Sequence, residues 1–390
     1  MKRIITAAAV VAAAIIMVVL AVSSPPRLPD GSAQPPTPAE PSGAPAFAES
    51  PEPSPAPPPS PSPEPSPEPT PEPPSYSAVI AVGGDVLPTG NIGKKIAAGL
   101  YADILDETTA ARFREADIAL INLETSVSER GTPIPGKAYT FRSEPENLSF
   151  LTDWLGVDCV SLANNHTPDW GWDAFDDTLT YLDEYGIARI GAGRDLADAA
   201  APYIAEVNGL KIAIFAANQV NSYSDWPATD KKAGQLISRD AKKLGILGEN
   251  IAKVRGEVDY IIAFFHWGIE LDTTPSSMQT SMAHALIDAG VDVVLGAHPH
   301  VVQSFEYYKG KPIAYSVGNF LFNARNPETC VLYIHIDGAE VNIEIVPMNI
   351  KSTLTSIAAG DAGAAKLAKW SAISIGAVIS EDGMLFPAEE

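Results

Sequence analysis

The chain of 390 residues has few of the residues that build disulfide-stapled or nucleic-acid-binding proteins. Its two cysteines, Cys159 and Cys330, are too few for a disulfide framework. Both lie in apolar, strand-like runs, which predicts two buried thiols, with a single disulfide as the alternative. Lysine and arginine number 26 against 48 aspartates and glutamates, so the net charge is −22. This excess of negative charge argues against a nucleic-acid partner, whose phosphates require the opposite sign.

Long apolar runs are also rare, and the one of membrane-spanning length lies at the amino terminus. From Ile4 to Val22 only Thr6 is polar, and Lys2 and Arg3 come before the run. This pattern predicts a signal anchor over 1–24, giving a single-pass protein of the cell membrane with its later residues outside the cytoplasm. The alternative is a cleaved signal peptide and a secreted protein. No cysteine lies near this segment, which excludes a lipid-modified cysteine as the anchor.

Large apolar side chains are scarce in the next segment, residues 25–75, which holds 22 of the 35 prolines. Such a segment cannot bury a core, so we expect a disordered linker with polyproline II character. We interpret it as a stalk that holds the following domain away from the membrane. The alternative is an unstructured leader with no spacing role.

From residue 76 onward, short β-branched runs alternate with helical stretches. This order predicts one α/β domain of two mixed sheets over 76–350. Consecutive strands after residue 300 predict antiparallel hairpins that finish the second sheet, and 351–390 is predicted to be a weakly helical tail. The predicted strands are 78–83, 118–123, 157–162, 211–217, 258–265 and 291–295, and the predicted helices are 106–116, 170–185, 238–256 and 275–289.

Polar residues able to bind a metal follow five of these strands. Side chains at the carboxyl ends of strands in α/β sheets converge on one crevice, so we expect a shared site. Each cluster alone is also explained by turn or cap chemistry, and His266 alone by a core position. The residues are Asp85; Asn122 and Glu124; Asn164, Asn165 and His166; His266 and Glu270; and His298 and His300.

The strongest of these signals is GAHPH, residues 296–300, because the chain has only six histidines. In extended backbone, His298 and His300 would project to one side, with Pro299 restraining the turn between them. Imidazole, carboxylate and amide donors together favour divalent Mn, Fe or Zn. A carboxylate between separate ligands suits a centre of two metal ions that performs hydrolysis, with His166 as proton donor to the leaving group. His284 and His335 are predicted to be structural.

The motifs GGDV, NLE, ANNH, HWGIE, GAHPH and GNFLF occur in this order between about residues 80 and 322. They resemble those of the CapA-type poly-γ-glutamate capsule synthesis proteins, which are themselves similar to the calcineurin-like metallophosphoesterases. The resemblance implies a four-layer α/β/β/α sandwich with a two-metal centre and a catalytic His166. It implies six metal ligands, namely Asp85, Glu124, Asn165, His266, His298 and His300. Four residues are predicted to bind substrate or support the ligands, namely Asn122, Asn164, Glu270 and Asn319.

Two positions depart from the metallophosphoesterase pattern. Leu87 stands where those enzymes typically carry a histidine two residues after the first aspartate, and Glu124 replaces their bridging aspartate. The metal site at Asp85 is therefore expected to be a ligand short, to be weakly occupied, or to be completed by another side chain or water. We expect it to depend on one member of the GAHPH pair, His300, while His298 serves the other ion.

Three functions follow from these observations. The first is a membrane-tethered protein that uses metal to act on poly-γ-glutamate or a related anionic wall polymer, in its synthesis, export or attachment, with membrane synthase subunits as partners. The second keeps the fold but acts as a phosphoesterase at the cell surface. The third is a scaffold without catalysis that binds polymer or synthase.

Overall fold

A computed structural model of the protein describes residues 76–220, 223–323 and 328–389. The predicted anchor over 1–24 and the proline-rich segment 25–75 lie outside the described residues. Across the described ranges, no helix has the length and apolar character needed to cross a membrane.

The described part of the chain alternates strands and helices, as the sequence predicts. The strands are β1 (Ser77–Val86), β2 (Ile118–Leu123), β3 (Ser126–Val127), β4 (Arg142–Ser143), β5 (Cys159–Ser161), β6 (Ala188–Ile190), β7 (Ala192–Gly193), β8 (Tyr203–Val207), β9 (Leu210–Asn218), β10 (Gly234–Gln235), β11 (Tyr260–His266), β12 (Val293–Ala297), β13 (Phe305–Tyr308), β14 (Lys311–Ala314), β15 (Asn319–Leu321), β16 (Glu328–Asp337), β17 (Glu340–Lys351), β18 (Leu354–Ile357), β19 (Ala377–Ile379) and β20 (Met384–Pro387). The α-helices are α1 (Gly90–Ala97), α2 (Glu107–Glu115), α3 (Gly171–Glu184), α4 (Leu196–Ala199), α5 (Ile246–Val254), α6 (Ser277–Asp288) and α7 (Gly360–Ile373). Short 3₁₀ turns occupy Tyr101–Asp103 and Pro145–Asn147, and a π-helical turn occupies Phe150–Trp154.

The larger sheet has ten strands, and β1 lies near its centre. Its main order is β19-β20-β17-β16-β1-β2-β5-β6, while β15 pairs with β1 and β18 with β17. Strands β2 and β15 run parallel to β1, whereas β16 runs antiparallel to it. In this register Asp85 lies opposite both Asn122 and Asn319. Three of the predicted site residues are therefore neighbours at the carboxyl end of β1.

The smaller sheet has six strands in the order β13-β14-β12-β11-β9-β8. Strands β9, β11, β12 and β14 run parallel, and antiparallel β8 and β13 close the two edges. His266, the last residue of β11, lies opposite Ala297 at the end of β12. The second and third parallel strands therefore deliver His266 and the GAHPH turn to one edge.

The two sheets pack face to face, and helices cover their outer faces. The core between the sheets includes Val82, Leu332, Ile214 and Phe264. A second core joins the larger sheet to α2 and α3, and a third joins the smaller sheet to α5 and α6. Because the central strands are buried on both faces, their sequences are almost continuously apolar rather than alternating. The predicted mixed α/β fold is confirmed.

Two predictions about the elements were wrong in part. The helix expected over 238–256 begins only at Ile246, because Asp240 accepts backbone hydrogen bonds that form a turn and Gly245 has a positive φ of 59°. The strands after residue 300 do not all finish one sheet. The hairpin of β13 and β14 extends the smaller sheet, and β16, β17 and β18 belong to the larger one. The chain changes sheets at β15, which pairs with β1.

The carboxyl-terminal region is also part of the packed domain. Besides the expected helix, now α7, residues 351–390 contribute β18, β19 and β20 to the larger sheet. Leu367 and Trp370 of α7 and Leu385 of β20 are buried in the core between the sheets. Cys159 and Cys330 are both buried and free.

The close approach of β12 and β14 gives a stability prediction at Gly296. A Cβ at this position would overlap the Tyr315 carbonyl oxygen and the Trp267 indole nitrogen, and that indole now donates to the same carbonyl at 2.8 Å. We expect Gly296→Ala to lower the free energy of unfolding by about 2–3 kcal/mol, as overpacking does in dense cores. Urea denaturation measures this change. The matched control is Gly256→Ala, whose Cβ would meet no atom within 4 Å; equal losses in the two variants would contradict the packing argument.

Candidate metal centre

The candidate site lies where the carboxyl ends of strands from both sheets meet. The larger sheet supplies Asp85 from β1, Glu124 after β2 and the turn after β5 that holds Asn165 and His166. The smaller sheet supplies His266 from β11 and the turn after β12. Strand ends that are far apart in sequence thus place their side chains together, as expected for α/β folds.

Glu124 is at the centre of this arrangement and is fully buried. Its Oε1 lies 3.5 Å from His266 Nε2 and 3.9 Å from both His166 Nε2 and His300 Nε2. Within the described residues, neither carboxylate oxygen has a hydrogen-bond partner. Burial, and then the nearby charge of Asp85, raise the pKa of Glu124 well above its ordinary value. A carboxylate that is buried in this way is stable in its ionised form only when a cation lies beside it.

Two groups of side chains that share Glu124 have the spacing of metal ligands. Atoms of Glu124, His266 and His298 lie within 4.8 Å of one another, and so do atoms of Asp85, Glu124 and His300. His298 Nδ1 is also buried without a hydrogen-bond partner among the described residues. These atoms, which have no hydrogen-bond partner, are of the types that divalent transition metals prefer, so the residues present fit divalent metal ions.

Asparagine side chains hold several of these groups in place. Asn122 donates through Nδ2 to Asp85 Oδ1 at 2.8 Å, and its Nδ2 lies 3.3 Å from His266 Nδ1. Asn164 donates to Asn122 Oδ1 at 3.1 Å and accepts from the His166 backbone N–H at 3.0 Å. The predicted supporting residues therefore connect the strand ends to one another.

Asn165, predicted to be a metal ligand, lies beside the first group. Its Oδ1 is 2.7 Å from His266 Nε2. Neither of the two ligand groups includes it, because those groups contain only carboxylates and imidazoles. Its amide oxygen nevertheless has the position and the chemistry of a further ligand.

The GAHPH turn differs from the extended backbone assumed in the sequence analysis. His298 and His300 have positive φ values of 98° and 56°, so their backbones lie in the left-handed region that L-residues seldom adopt. Their environments also differ. Burial, and then the charge of His300, lower the pKa of His298 to about 3. Burial would lower the pKa of His300 too, but the charges of Glu124 and Asp85 outweigh it and raise this pKa to about 10.

His300 takes the place next to Asp85 that the sequence assigns to it. Its Nδ1 lies 3.0 Å from Asp85 Oδ2 and 2.9 Å from Asn319 Oδ1. Leu87, the residue that departs from the metallophosphoesterase pattern, is buried. Asn319, on β15, thus joins the site through His300.

His166 points one ring nitrogen at Glu124 and the other at a residue that the sequence analysis missed. Its Nδ1 lies 2.7 Å from the buried Asp169 Oδ2. Lys137 forms an ion pair with the other oxygen of Asp169. Burial lowers the pKa of His166, and Asp169 partly opposes this. The spacing His166-x-x-Asp169 was a usable signal, whereas Lys137 lies in a loop of glycine and proline with no recognisable motif.

The remaining predicted residues lie away from the ligand groups. Glu270 is exposed on the loop after β11, although its charge reaches Glu124 and Lys137. His284 pairs with Glu306 at 2.8 Å and stacks on Tyr308. His335 pairs with Glu344 at 3.2 Å. The latter two histidines have structural partners outside the site.

Comparisons with known proteins agree on one family. A family profile described as "Bacterial capsule synthesis protein PGA_cap" matches residues 79–324. The capsule biosynthesis protein CapA of Bacillus anthracis is 32% identical over 206 residues, which cover 50% of this chain and 48% of that protein. The PGA biosynthesis protein CapA of Bacillus subtilis is 28% identical over 273 residues, covering 68% and 70%. The match thus spans about half the length of the Bacillus anthracis relative.

Two solved structures show weaker likenesses. One is a novel phosphatase from Mycoplasma pneumoniae, with 16% identity, a TM-score of 0.44, and coverage of 70% of this chain and 94% of that one. The other is a hypothetical protein from Thermus thermophilus, with 17% identity, a TM-score of 0.41, and coverage of 70% and 99%. These likenesses concern the fold alone and add nothing about activity.

Because Glu124 is a buried carboxylate without a hydrogen-bond partner, we expect the effect of Glu124→Gln on the stability of the fold to depend on whether metal is bound. In a chelator, the variant should be at least as stable as the wild type, because an amide carries no charge to bury among acidic neighbours. With Mn²⁺ at 100 times its dissociation constant, the wild type should gain about 2.7 kcal/mol and the variant much less. Thermal unfolding with and without Mn²⁺ measures both effects.

The matched control for this experiment is Glu257→Gln, because Glu257 is exposed on a turn. It should keep the full stabilisation by Mn²⁺. If Glu124→Gln is destabilised in the chelator and still responds to Mn²⁺ like the wild type, Glu124 does not lie between metal ions.

Proposed function

This chain belongs to the PGA_cap family of bacterial capsule synthesis proteins, and from that premise we propose that it acts on poly-γ-glutamate or a related anionic wall polymer. The names of the Bacillus relatives, a capsule and a PGA biosynthesis protein, support this substrate class. We place its role in the synthesis, export or attachment of the polymer. The chemistry is hydrolysis or group transfer at an amide or phosphoester bond.

One observation carries the proposal of catalysis. Glu124 is fully buried, without a hydrogen-bond partner among the described residues, and shared by two ligand groups. A scaffold has no need to keep such a costly carboxylate at the meeting point of two sheets. A hydrolytic centre of two metal ions, in contrast, uses a buried carboxylate of this kind to hold its ions.

The residues present fit two divalent transition ions, with Mn, Fe and Zn as the candidates. His266 and His298 would hold one ion, Asp85 and His300 the other, and Glu124 both, with Asn165 as an added ligand. When bound, such ions supply Lewis-acid activation of water and of the substrate oxygen.

The protein's own groups orient the reaction around this centre. Asn122 fixes the Asp85 carboxylate, and Asp169 holds His166 through Nδ1. We assign the tautomer in which Nδ1–H donates to the Asp169 carboxylate, because an ionised carboxylate can only accept. Nε2 is then the reacting nitrogen, and it lies 3.9 Å from Glu124 Oε1. Water adds to the carbonyl or phosphorus atom and gives up one proton to His166 Nε2. The bond to the leaving group then breaks, and Nε2 passes that proton to the leaving group.

Metal also accounts for an acidic protein acting on an acidic polymer. The chain has a net charge of −22, so bare electrostatics would repel a polyanion. Divalent cations held by these residues would reverse the local sign of the charge, and the anionic polymer would then be attracted to the site.

The cellular setting of this proposal comes from the amino-terminal sequence and the family. Residues 1–24 would anchor the chain in the cell membrane and 25–75 would hold the domain outside it, where synthase subunits are partners. In its finer architecture, we propose that the domain is a four-layer sandwich of the metallophosphatase type.

Replacing His166 tests the proposed chemistry. With Mn²⁺ bound to the purified 390-residue chain, we expect His166→Gln to lower kcat on poly-γ-glutamate by about 100-fold or more, because it removes the proton donor. Metal content should not change, since His166 is in neither ligand group. Chromatography of the polymer fragments and elemental analysis of the protein provide the measurements.

The matched control is His284→Gln, because His284 contacts Glu306 and Tyr308 outside the site. It should retain wild-type turnover. Turnover of an aryl phosphate with an inert polymer would overturn the polymer substrate in favour of a phosphoesterase. A metal-loaded wild type that turns over neither substrate would overturn catalysis in favour of a scaffold.

A further inference from the structure

The loop from Gly131 to Phe141 is fastened to the turn that carries His166. The backbone N–H of Ile134 donates to the Asp169 carbonyl oxygen at 2.9 Å, and that of Thr132 donates to the Trp170 carbonyl at 3.0 Å. At the other end of the loop, the Phe141 N–H donates to Asp169 Oδ2 at 2.8 Å. The ring centroids of Phe141 and His166 lie 4.5 Å apart. The loop and the turn therefore hold one another in place.

Lys137 is the one cationic side chain that this loop inserts among the site residues. Its ammonium group donates to Asp169 Oδ1 and to the backbone oxygen of Asn165, and it lies 3.4 Å from His166 Nδ1. The side chain is only 14% exposed. Trp226 lies against it, with Nζ 5.3 Å from the ring centroid. An ammonium group has three hydrogens to donate, and two are already used by protein oxygens.

We infer that Lys137 is a positioning residue that locks the Asp169 carboxylate so that His166 presents Nε2 to the reaction. This inference rests on the proposed function, in which His166 is the proton donor. Lys137 acts through Asp169 and does not bind substrate, because two of its three hydrogens are donated to protein oxygens and its side chain is only 14% exposed.

The two carboxylate oxygens of Asp169 have different partners, and this supports the role of Lys137. Oδ1 is held by Lys137, and Oδ2 accepts from the Phe141 backbone and contacts His166 Nδ1. Asp169 is fully buried, and a carboxylate without a cation at such a site is unfavourable. Without Lys137, the carboxylate would be free to rotate, and the imidazole would lose its fixed orientation.

Lys137 also contacts the backbone of Asn165, the residue between Asn164 and His166. This contact fixes the peptide that connects the metal ligands to the proton donor. Asn165 Oδ1 is separately held by His266 Nε2 at 2.7 Å. Removing the Lys137 side chain should therefore disturb His166 more than the metal ligands.

The test is Lys137→Met, which keeps an unbranched side chain, one atom shorter, and removes its charge. In the full-length protein loaded with Mn²⁺, we expect kcat on poly-γ-glutamate to fall about 10- to 100-fold, as for a disoriented general acid. KM and metal content should stay within twofold. Loss of metal in proportion to activity would assign Lys137 to ligand placement and overturn the inference.

The matched control is Lys232→Met. Lys232 also lies over a tryptophan, with Nζ 4.4 Å from the Trp172 ring centroid, and it donates to the Asp225 backbone oxygen. It contacts neither Asp169 nor His166 in the described structure. This variant should keep wild-type kcat, and an equal loss of kcat would show that any lysine in this region has the same effect.

A second measurement is independent of turnover. With six histidines in the chain, nitrogen-15 labelling of histidine and comparison with His166→Gln identify the His166 imidazole in NMR spectra. We expect its Nδ1–H, hydrogen-bonded to Asp169, to give one sharp low-field signal in the wild type and Lys232→Met, and to broaden or shift in Lys137→Met. An unchanged signal overturns the inference, even if the wild type proves to have no turnover and the proposed function fails.

The double variant Lys137→Met/Asp169→Asn covers the case in which Lys137→Met does not fold. It removes both buried charges together, so the folded domain should be recovered. Its kcat should be no lower than that of Asp169→Asn alone, because residues that act as one unit are not additive. A kcat of the double variant clearly below that of Asp169→Asn would overturn the inference.

Discussion

A single buried carboxylate, that of Glu124, has no hydrogen-bond partner among the described residues and accounts for much of the arrangement around it. Burying an ionised carboxylate is strongly unfavourable, and this one also faces Asp85, a second acid. The fold tolerates it because three imidazoles and a strand end from each sheet converge on the same point. Bringing these polar groups together is unfavourable in free energy. The burial of apolar side chains in the three cores offsets this, and the contacts within the site do not. A cation is the group that completes such an arrangement.

Two sheets, rather than one, are needed to build this centre. Parallel strands within the larger sheet place Asp85 beside Asn122 and Asn319, but neither ligand group takes an imidazole from this sheet. The smaller sheet supplies His266 and the GAHPH turn from neighbouring strands. Face-to-face packing then brings the carboxylates of one sheet to the imidazoles of the other. The ligand set is thus a property of the interface between the sheets.

The sequence predicts the ends of buried strands well, because a polar residue after an apolar run is a local signal. Asp85, His266 and His298 were found in this way. It fails where a contact depends on packing between distant segments, as with Lys137, whose loop carries no periodic pattern and meets His166 only in the folded domain. The hairpins after residue 300 were recognised locally, but their division between sheets depends on where β15 pairs. Local turn chemistry at Asp240 and Gly245 shortened the helix predicted over 238–256.

The backbone of GAHPH shows how one short turn can serve both ligand groups. An extended HPH segment would direct both imidazoles to the same side, as residues i and i+2 of a strand do. Positive φ values at His298 and His300 instead turn the rings apart, to centroids 6.0 Å from each other. His298 then lies against His266, and His300 lies against Asn319 beside Asp85. Each such residue costs about 1–3 kcal/mol of strain. Leu87 provides no imidazole next to Asp85. The strained turn therefore brings His300 to the ligand group of Asp85 and Glu124.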